Sequence, residues 1–434
     1  MQFYSLNKNA PNVTYAEAVV KGLAPDRGLY FPENITPLPK SFFDNIEEMD
    51  NVDIAYQAIE QFVGDEIPEA DLKEILADVL SFDFPVVPIT DNIGTLELFH
   101  GPTMAFKDVG ARFMARCLGY FNKDNDGHVT VLVATSGDTG GAVARGFLGV
   151  KGVDVVILYP NGKVSDIQER QLTTLGQNIK ALRVDGVFDD CQDMVKSAFL
   201  DEEITNVRPL TSANSINVAR WLPQLFYFLF AYKQTKKLGK EIVFSVPSGN
   251  FGNICAGIVA HKLGMPVKHF IASVNSNDTV VNYLNTGKYE PKPSVATISN
   301  AMDVGNPSNF IRIQQLFENS FEDLKKDFSS LSYSDEQTKL AMKEILSNSN
   351  YVADPHGAVG YLGLKDYQLS ENEYGIFLET AHPVKFGDIV EQTLNLKVAI
   401  PEQIKSVLYK EKEFKSISKY EELKSYLIKD KQYK

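Results

Sequence analysis

Residues 129–142 read VTVLVATSGDTGGA, a short run of β-branched residues that passes directly into a turn rich in hydroxyl groups and glycine. An apolar run of this length is typical of a strand buried on both faces, and such a turn is typical of a connection from a strand to a helix. Similar runs recur at residues 153–158, 179–184, 241–246 and 267–274. Because helical periods separate these runs, the pattern predicts parallel βαβ units in two α/β lobes with a cleft between them.

The length of 434 residues corresponds to two or three domains at roughly 150 residues each. The sequence predicts three regions, namely a helical N-terminal domain over residues 1–88, a two-lobed catalytic region over residues 89–397 with its smaller lobe at about 127–235, and a helical C-terminal tail over residues 398–434. The Lys/Glu-rich composition of the tail predicts that it is solvated on the surface. Within the catalytic region, Asn217 to Lys237 has the length and composition of one long helix.

The composition excludes several classes of protein. Lys and Arg number 43 against 56 for Asp and Glu, which gives a net charge of −13. A general binder of nucleic acid or of anionic membranes carries the opposite excess, so neither partner is expected. The three cysteines are far apart and form no paired metal spacing, which favours a reducing cytoplasm over a disulfide framework or a metal site.

Two loops after predicted strands are candidates for anion binding. Residues 134–142 follow the strand that ends at Val133, and residues 247–253 (PSGNFGN) follow the strand that ends at Val246. Backbone N–H groups in such loops favour a carboxylate or a phosphate. The second loop lacks the Lys-Ser/Thr of a Walker loop. For each loop, an ordinary turn without a ligand is the alternative interpretation.

A third stretch, residues 100–113 (HGPTMAFKDVGARF), carries a lysine at the start of an apolar helix. The small and apolar neighbours of Lys107 solvate its charge poorly, and a desolvated lysine has a lowered pKa and forms Schiff bases. A lysine that extends to solvent from a helix end is the alternative interpretation.

Together, the three stretches resemble those of the fold-type II pyridoxal-phosphate enzymes, and within them the threonine synthase family. The resemblance begins at Tyr4-Ser5 and continues through residues 16–19 (AEAV) and 22–32 (GLAPDRGLYFP). It extends to residues 380–386 (TAHPVKF), so that it covers roughly residues 4–387. It implies the tryptophan-synthase-β-like fold, with pyridoxal 5'-phosphate as the cofactor.

Carried over position by position, the resemblance implies that Lys107 binds the cofactor covalently. It also implies that five loop residues surround the cofactor phosphate: Gly249, Asn250, Phe251, Gly252 and Asn253. Thr380 is the implied hydroxyl partner of the pyridine nitrogen. Asp138 lies near the cofactor 3-hydroxyl, at a position where relatives of this fold often carry Asn. A carboxylate there only accepts hydrogen bonds unless it is protonated.

The resemblance also implies two sets of substrate contacts. The hydroxyl residues Thr135, Ser136 and Thr139 bind the substrate carboxylate. The substrate phosphate is bound by Asn214, Ser215 and Arg220, and amide, hydroxyl and guanidinium groups suit a phosphate dianion. From the residues alone, a helix cap at Asn214 or Ser215 beside a surface arginine remains the alternative.

Three histidines and one further segment complete the candidate set. His100, His356 and His382 stand beside Gly or Pro, where a loop hydrogen bond is the commoner role than ligand contact. Residues 354–358 line the cofactor ring in this fold.

The resemblance implies conversion of O-phospho-L-homoserine and water to L-threonine and phosphate by γ-elimination and β-hydration, in a cytoplasmic monomer or homodimer. Lys107 is the candidate for the proton transfers. A sibling lyase that acts on serine or threonine is one alternative. A catalytically silent, cofactor-free homologue that serves as a binding module is another.

Overall fold

The structure is a computed structural model that describes residues 1–123 and 128–429. The chain forms two compact units, each assembled from separate stretches of sequence. Unit 1 contains residues 1–31, residues 107–220 and the chain from residue 400 onward, and unit 2 contains residues 32–106 and 221–399.

The described residues contain thirteen strands and twenty α-helices. The strands are β1 (Phe3–Ser5), β2 (Tyr30–Pro32), β3 (Val86–Pro88), β4 (Ile93–Glu97), β5 (Val129–Ala134), β6 (Val153–Pro160), β7 (Ile179–Val184), β8 (Leu210–Ser212), β9 (Glu241–Pro247), β10 (His269–Val274), β11 (Phe328–Ser332), β12 (Glu373–Glu379) and β13 (Lys415–Ile417).

The helices are α1 (Tyr15–Lys21), α2 (Lys40–Asn45), α3 (Asn51–Val63), α4 (Glu69–Val79), α5 (Lys107–Phe121), α6 (Asp138–Phe147), α7 (Asp166–Thr173), α8 (Phe188–Leu200), α9 (Glu202–Thr205), α10 (Val218–Trp221), α11 (Leu225–Thr235), α12 (Gly252–Lys262), α13 (Thr279–Thr286), α14 (Phe310–Leu316), α15 (Phe321–Asp327), α16 (Asp335–Ser349), α17 (Pro355–Tyr367), α18 (Gly387–Leu394), α19 (Glu402–Leu408) and α20 (Tyr420–Lys429). Short 3-10 turns lie at Ile46–Glu48, Gly64–Glu66, Leu222–Gln224, Lys236–Leu238, Asn300–Met302 and Pro383–Phe386.

Unit 1 is built on a five-stranded sheet in the order β13-β7-β6-β5-β8. All of its strand pairs are parallel. Every residue of β5 and β6 is buried, as expected for central strands covered on both faces. On one face, Leu132 and Leu158 pack in a cluster with Met194 of α8 and Leu423 of α20. The parallel α/β architecture predicted from the sequence is confirmed in this unit.

Unit 2 contains a six-stranded sheet in the order β11-β10-β9-β12-β4-β3. Its strands are parallel except for the pair of β3 and β4. Helix α17 lies very close to this sheet, because a Cβ on Gly363 would meet Ser273 Oγ at 2.1 Å and Ser245 Oγ at 2.6 Å. A glycine is therefore required where this helix crosses the strands.

The long helix predicted over Asn217 to Lys237 is interrupted. The segment consists of α10, a 3-10 turn at Leu222–Gln224, and α11, followed by a second 3-10 turn. Pro223 lies inside the first turn and has no N–H to donate to a preceding carbonyl. The prediction of one continuous helix is therefore wrong, and proline is the physical reason.

The C-terminal segment is also more than a solvated helical tail. Strand β13 pairs with β7, with Ile417 opposite Val184, and so forms one edge of the unit 1 sheet. Ile417, Leu423 and Leu427 are buried. The Lys/Glu-rich composition of this segment describes its outer face, whereas its sparse apolar residues complete the core of unit 1.

The sequence boundaries at residues 88 and 397 remain a prediction. Residues 1–88 contribute to both compact units, so the compact units do not correspond to the domains predicted from the sequence. The boundary at residue 127 lies outside the described residues.

Within the part of the chain that the structure describes, no helix combines the length and the apolar character needed to cross a membrane.

Replacing Leu423 by Ala should lower the free energy of unfolding by about 2 to 4 kcal/mol, because the side chain is fully buried against unit 1. Urea unfolding would measure this loss. Leu340→Ala is the control, since Leu340 is a 64% exposed helical leucine. Equal effects of the two substitutions would contradict a structural role for the C-terminal segment.

Candidate functional site

The strand order of unit 1 reverses beside β5. The chain runs outward from β5 through β6 to β7 and later places β8 on the other side of β5. Loops that leave such a switch point diverge, and open parallel sheets bind ligands in the crevice at the carboxyl ends of the strands. Residues 135–137 follow β5, and residues 213–217 follow β8. The topology therefore brings two of the predicted substrate-binding stretches to one edge.

Thr135 organises the turn after β5. Its side chain is buried, and Oγ1 accepts hydrogen bonds from the N–H groups of Gly137 at 2.9 Å and Gly140 at 2.8 Å. A hydroxyl has two acceptor lone pairs and one proton, so the remaining capacity of Thr135 is donation. Ser136 and Thr139 are half-buried in the same turn. The three hydroxyls predicted to bind a carboxylate thus lie at the start of α6.

Asp138, the first residue of α6, is also buried and accepts a hydrogen bond from the side chain of Gln168. The distance from Gln168 Nε2 to Asp138 Oδ1 is 3.0 Å. Gln168 is not among the site residues predicted from the sequence. Its signal is the capping box of α7, in which Ser165 is followed three residues later by Gln168.

Arg220 links the phosphate-binding motif to the start of α5. The side chain is 3% exposed; its Nε donates to the carbonyl of Ala213 at 2.7 Å and its Nη1 to the carbonyl of Lys107 at 3.0 Å. A Cβ on Gly110 would lie 2.5 Å from the Arg220 carbonyl oxygen, so α5 approaches this segment closely. The structure therefore brings Arg220 to the backbone of Lys107 within unit 1.

The remaining residues of this motif divide into two roles. Asn214 Nδ2 donates to the carbonyl of Ala134, at the end of β5, at 3.2 Å, and Ser215 is half-buried beside it. Asn217 is fully buried, and its Oδ1 accepts from the N–H of Ala219 at 3.0 Å while its Nδ2 donates to a carbonyl of α1 at 2.9 Å. Asn217, and not Asn214 or Ser215, therefore caps the helix. Arg220 is buried and is not a surface arginine.

Unit 2 contains a second switch point, where β9 lies between β10 and β12. The loop that begins at Ser248 follows β9, and Thr380 follows β12. Gly249 lies against the turn at residues 300–302, because a Cβ at this position would be 2.7 Å from Met302 Cα. Two of the predicted cofactor-binding segments therefore leave the same edge of the unit 2 sheet.

The loop after β9 has a defined shape. Phe251 adopts the left-handed conformation with φ 59°. Asn250 Oδ1 accepts from the N–H of Ser308 at 2.6 Å, and its backbone carbonyl accepts from Asn309 Nδ2 at 3.1 Å. These hydrogen bonds with Ser308 and Asn309 hold the loop in place. Helix α12 then begins at Gly252.

The donors at the start of α12 fit a phosphate group. Asn253 is buried, and its Oδ1 accepts from the hydroxyl of Tyr227 at 2.9 Å. Its buried Nδ2 has no hydrogen-bond partner among the described residues. The N-terminus of this 11-residue helix adds N–H groups and a favourable dipole for an anion.

Thr380 is buried after β12, and its carbonyl accepts from the N–H of Phe106, the residue that precedes Lys107 in sequence. The neighbouring Glu379 is fully buried, with Oε1 accepting from the N–H of Asp354. Burial, together with the negative charges of Asp354 and Glu97, raises the pKa of Glu379 well above its usual range. This carboxyl therefore holds its proton more readily than an exposed glutamate does, and Glu379 is not among the site residues predicted from the sequence.

His356 is fixed by hydrogen bonds on both ring nitrogens. Its Nε2 accepts from the N–H of Ala301 at 3.2 Å, so the ring proton is on Nδ1 and is donated to Asp354 Oδ2, also at 3.2 Å. Asp354 in turn caps α17 by accepting from the N–H groups of His356 and Gly357. This part of residues 354–358 therefore supports the turn that packs on Gly249.

The other two histidines are held in a similar way. His100 Nε2 lies 2.7 Å from Glu97 Oε2, and His382 Nδ1 accepts from the N–H of Val384 at 3.1 Å. Burial lowers the pKa of His382 to about 4.

Within residues 1–123 and 128–429, no cluster of three or more His, Cys, Asp or Glu side chains is arranged to hold a metal ion.

Three protein-family models match the chain. The family described as pyridoxal-phosphate dependent enzyme matches residues 95–375. The families described as threonine synthase N terminus and threonine synthase, C-terminal match residues 2–79 and 357–427.

Individual relatives extend over nearly the whole chain. A threonine synthase from Buchnera aphidicola subsp. Baizongia pistaciae is 45% identical over 408 residues, covering 94% of both chains. The crystal structure of threonine synthase from Escherichia coli has a TM-score of 0.93 at 42% identity and covers 99% of this chain and 100% of its own. The structure of PLP-bound threonine synthase from Brucella melitensis has a TM-score of 0.92 at 32% identity, with complete coverage of both chains.

Replacing His382 by Asn should flatten the loss of stability at acidic pH. Because the pKa of His382 is lowered to about 4 in the folded protein, the unfolded chain alone takes up this proton as the pH falls below about 6.5. The wild type therefore loses on the order of 2 to 3 kcal/mol between pH 6.5 and 4 that the variant retains. Thermal unfolding across this range measures the difference.

The asparagine preserves an acceptor for the N–H of Val384, so the turn remains capped. His128→Asn is the control, since His128 is exposed. Parallel stability curves for wild type and His382→Asn would contradict the prediction.

Proposed function

The chain belongs to the threonine synthase family of pyridoxal-phosphate-dependent enzymes, and from that premise we propose that it converts O-phospho-L-homoserine and water to L-threonine and phosphate. It is a lyase that uses pyridoxal 5'-phosphate. The observation that carries the substrate assignment is the buried guanidinium of Arg220, bonded to the carbonyl of Lys107. This contact supports the proposal, because it holds the cation of Arg220 at the start of the helix that carries Lys107.

We assign cofactor binding to the residues that the family resemblance implies. Lys107 is the covalent attachment residue, and the loop from Gly249 to Asn253 binds the cofactor phosphate. The buried donor on Asn253 and the N-terminus of α12 support this role. Thr380 supplies a hydroxyl to the pyridine nitrogen, and the raised pKa of Glu379 limits the negative charge beside it. When bound, the cofactor supplies an electron sink for negative charge that develops on the substrate carbons.

The substrate carboxylate is assigned to the turn after β5. Thr135 accepts two backbone hydrogen bonds through Oγ1, so its hydroxyl proton is directed to a further acceptor. Ser136 and Thr139, half-buried in the same turn, supply two more hydroxyl donors. A carboxylate accepts at both of its oxygens and suits this set of donors.

The substrate phosphate is assigned to Asn214, Ser215 and Arg220. A guanidinium has five N–H donors, of which Arg220 directs one to the carbonyl of Ala213 and one to that of Lys107. A planar guanidinium fork matches the geometry of phosphate oxygens. A local cation is needed, because the net charge of −13 repels an anionic substrate.

Lys107 is assigned the proton transfers at the substrate. Its amine removes the proton from Cα and then one from Cβ, which allows phosphate to leave from Cγ. A proton is then delivered to Cγ, water adds at Cβ, and a proton returns to Cα. The bond from Arg220 to the Lys107 carbonyl fixes the first turn of α5, and so restricts where the amine can reach. Binding of the γ-phosphate and proton transfer are thus served by adjoining residues of unit 1.

We further propose a cytoplasmic enzyme that acts as a monomer or a homodimer. The three cysteines are buried free thiols, and burial raises the pKa of each to about 12, which keeps them unreactive. The alternatives of a sibling serine or threonine lyase and of a cofactor-free homologue both predict no phosphate release. Phosphate assayed with O-phospho-L-homoserine, against ammonia assayed with threonine, distinguishes them.

Replacing Lys107 by Ala should abolish turnover and remove the visible absorbance of bound cofactor, because the covalent attachment is lost. Borohydride reduction followed by peptide mapping should label Lys107 in the wild type. Lys151→Ala, at an exposed lysine of unit 1, is the control and should retain colour and activity. An unchanged spectrum in Lys107→Ala would reject the assignment.

Replacing Ser215 by Ala or Arg220 by Lys should raise KM for O-phospho-L-homoserine at least about 10-fold, because each change removes donors to the substrate phosphate. Cofactor content should remain unchanged. Arg145→Lys, at an exposed arginine of α6, controls for the loss of a guanidinium. Loss of cofactor at unchanged KM would assign these residues to the cofactor phosphate instead.

A further inference from the structure

Gln168 makes a contact that the proposed reaction does not use. Its side chain is 0% exposed and donates from Nε2 to Oδ1 of Asp138, which is itself 3% exposed. A carboxylate this deeply buried requires hydrogen-bond donors to remain ionised. The hydrogen bond from Gln168 therefore affects both the charge of Asp138 and the orientation of its carboxyl group.

The orientation of the Gln168 amide is determined by its neighbours. Its Oε1 accepts from the backbone N–H of Ser165 at 3.0 Å, and a backbone N–H only donates. The opposite face of the amide is therefore its NH2 group, and this group faces Asp138. Since an amide NH2 also only donates, Asp138 Oδ1 is fixed as an acceptor.

The turn before Asp138 is shaped to this amide. Gly137 has φ 136°, a conformation that side chains disfavour, and a Cβ there would lie 2.4 Å from Gln168 Cδ. The amide thus fills the space beside the turn and holds it from one side. Helix α7 is held in turn by Lys412, which forms ion pairs with Asp166 and Glu169.

We propose that Gln168 is a positioning residue that keeps Asp138 ionised and directed as a hydrogen-bond acceptor toward the 3-hydroxyl of the cofactor. This inference rests on the proposed function and on the family resemblance, which implies that Asp138 lies near that hydroxyl. It accounts for an aspartate where relatives of the fold often carry asparagine, because the burial of the charge is compensated by a donor fixed at position 168. The Asp138–Gln168 pair then acts as one unit.

The test replaces the donor without changing the shape of the side chain. In Gln168→Glu, one carboxylate oxygen still accepts from Ser165, but the other faces Asp138, and two carboxylates in contact share a proton. The affinity of the apoprotein for added pyridoxal 5'-phosphate should fall at least tenfold at pH 8. The absorbance of the bound cofactor should acquire a dependence on pH between about 6 and 9 that the wild type lacks.

Gln337 provides a matched control. It occupies the same third position of the capping box that Ser334 forms at the start of α16, in unit 2. Gln337→Glu makes the same chemical change in the same local motif, and should leave cofactor affinity and spectrum unchanged. An equal effect of both substitutions would show that capping, and not the contact with Asp138, is responsible.

A second variant keeps the test decisive if Gln168→Glu does not fold. Asp138→Asn combined with Gln168→Glu exchanges donor and acceptor, so the hydrogen bond and the net charge are restored and the circular dichroism should match the wild type. Cofactor affinity should remain at least tenfold weakened, because the carboxylate has moved from position 138 to 168. Failure of this double variant to fold, or cofactor affinity equal to that of the wild type, would overturn the proposal.

The outcomes separate this inference from the proposed function. If the wild type does not bind pyridoxal 5'-phosphate at Lys107, the proposed function fails. If the wild type binds it there and Gln168→Glu has the same affinity and the same spectrum at every pH, the role of Gln168 alone is wrong.

Discussion

Parallel pairing of β5 with β8 and of β9 with β12 is the constraint on which the candidate site depends. Parallel neighbours end at the same edge of a sheet, so the loops that follow them emerge together even when they are far apart in sequence. In unit 1 this joins the turn at Thr135 to the segment of Asn214, and in unit 2 it joins the loop at Gly249 to Thr380. The side chains are then fixed by a few hydrogen bonds to backbone carbonyls, above all those of Arg220.

The sequence was sufficient for the strands and for the loops that follow them. The apolar run at residues 129–133 coincides with β5 to within one residue, because a strand covered on both faces leaves an unbroken apolar signature. The run at residues 179–184 coincides with β7, although Lys180 and Arg183 interrupt its apolar residues. The family resemblance likewise identified the two loops, because their glycine, hydroxyl and amide residues match the motifs of that family. Roles such as those of Ser136 and Thr139 stay predictions, because the structure positions these side chains without a ligand.

What the sequence did not reveal depends on contacts between distant segments. Gln168 lies 30 residues from Asp138, and its local motif indicates only a helix cap. Glu379 resembles any acidic residue at the end of a strand, and only its burial, together with the charges of Asp354 and Glu97, shows that its pKa is raised. Strand β13 lies in a charged segment and is three residues long, which is too short to show the residue pattern that predicts a strand. In each case the deciding term is tertiary packing, which overrides local composition.

The edge strand β13 has a consequence for how the protein is made. Unit 1 gathers its chain from the beginning, the middle and the end of the sequence, and its sheet is completed only by residues 415–417. Because these residues are synthesised long after β7, the nascent chain carries β7 with an open edge until they emerge. The sheet of unit 1 is therefore completed late, and until then the edge of β7 is open to pairing with other chains.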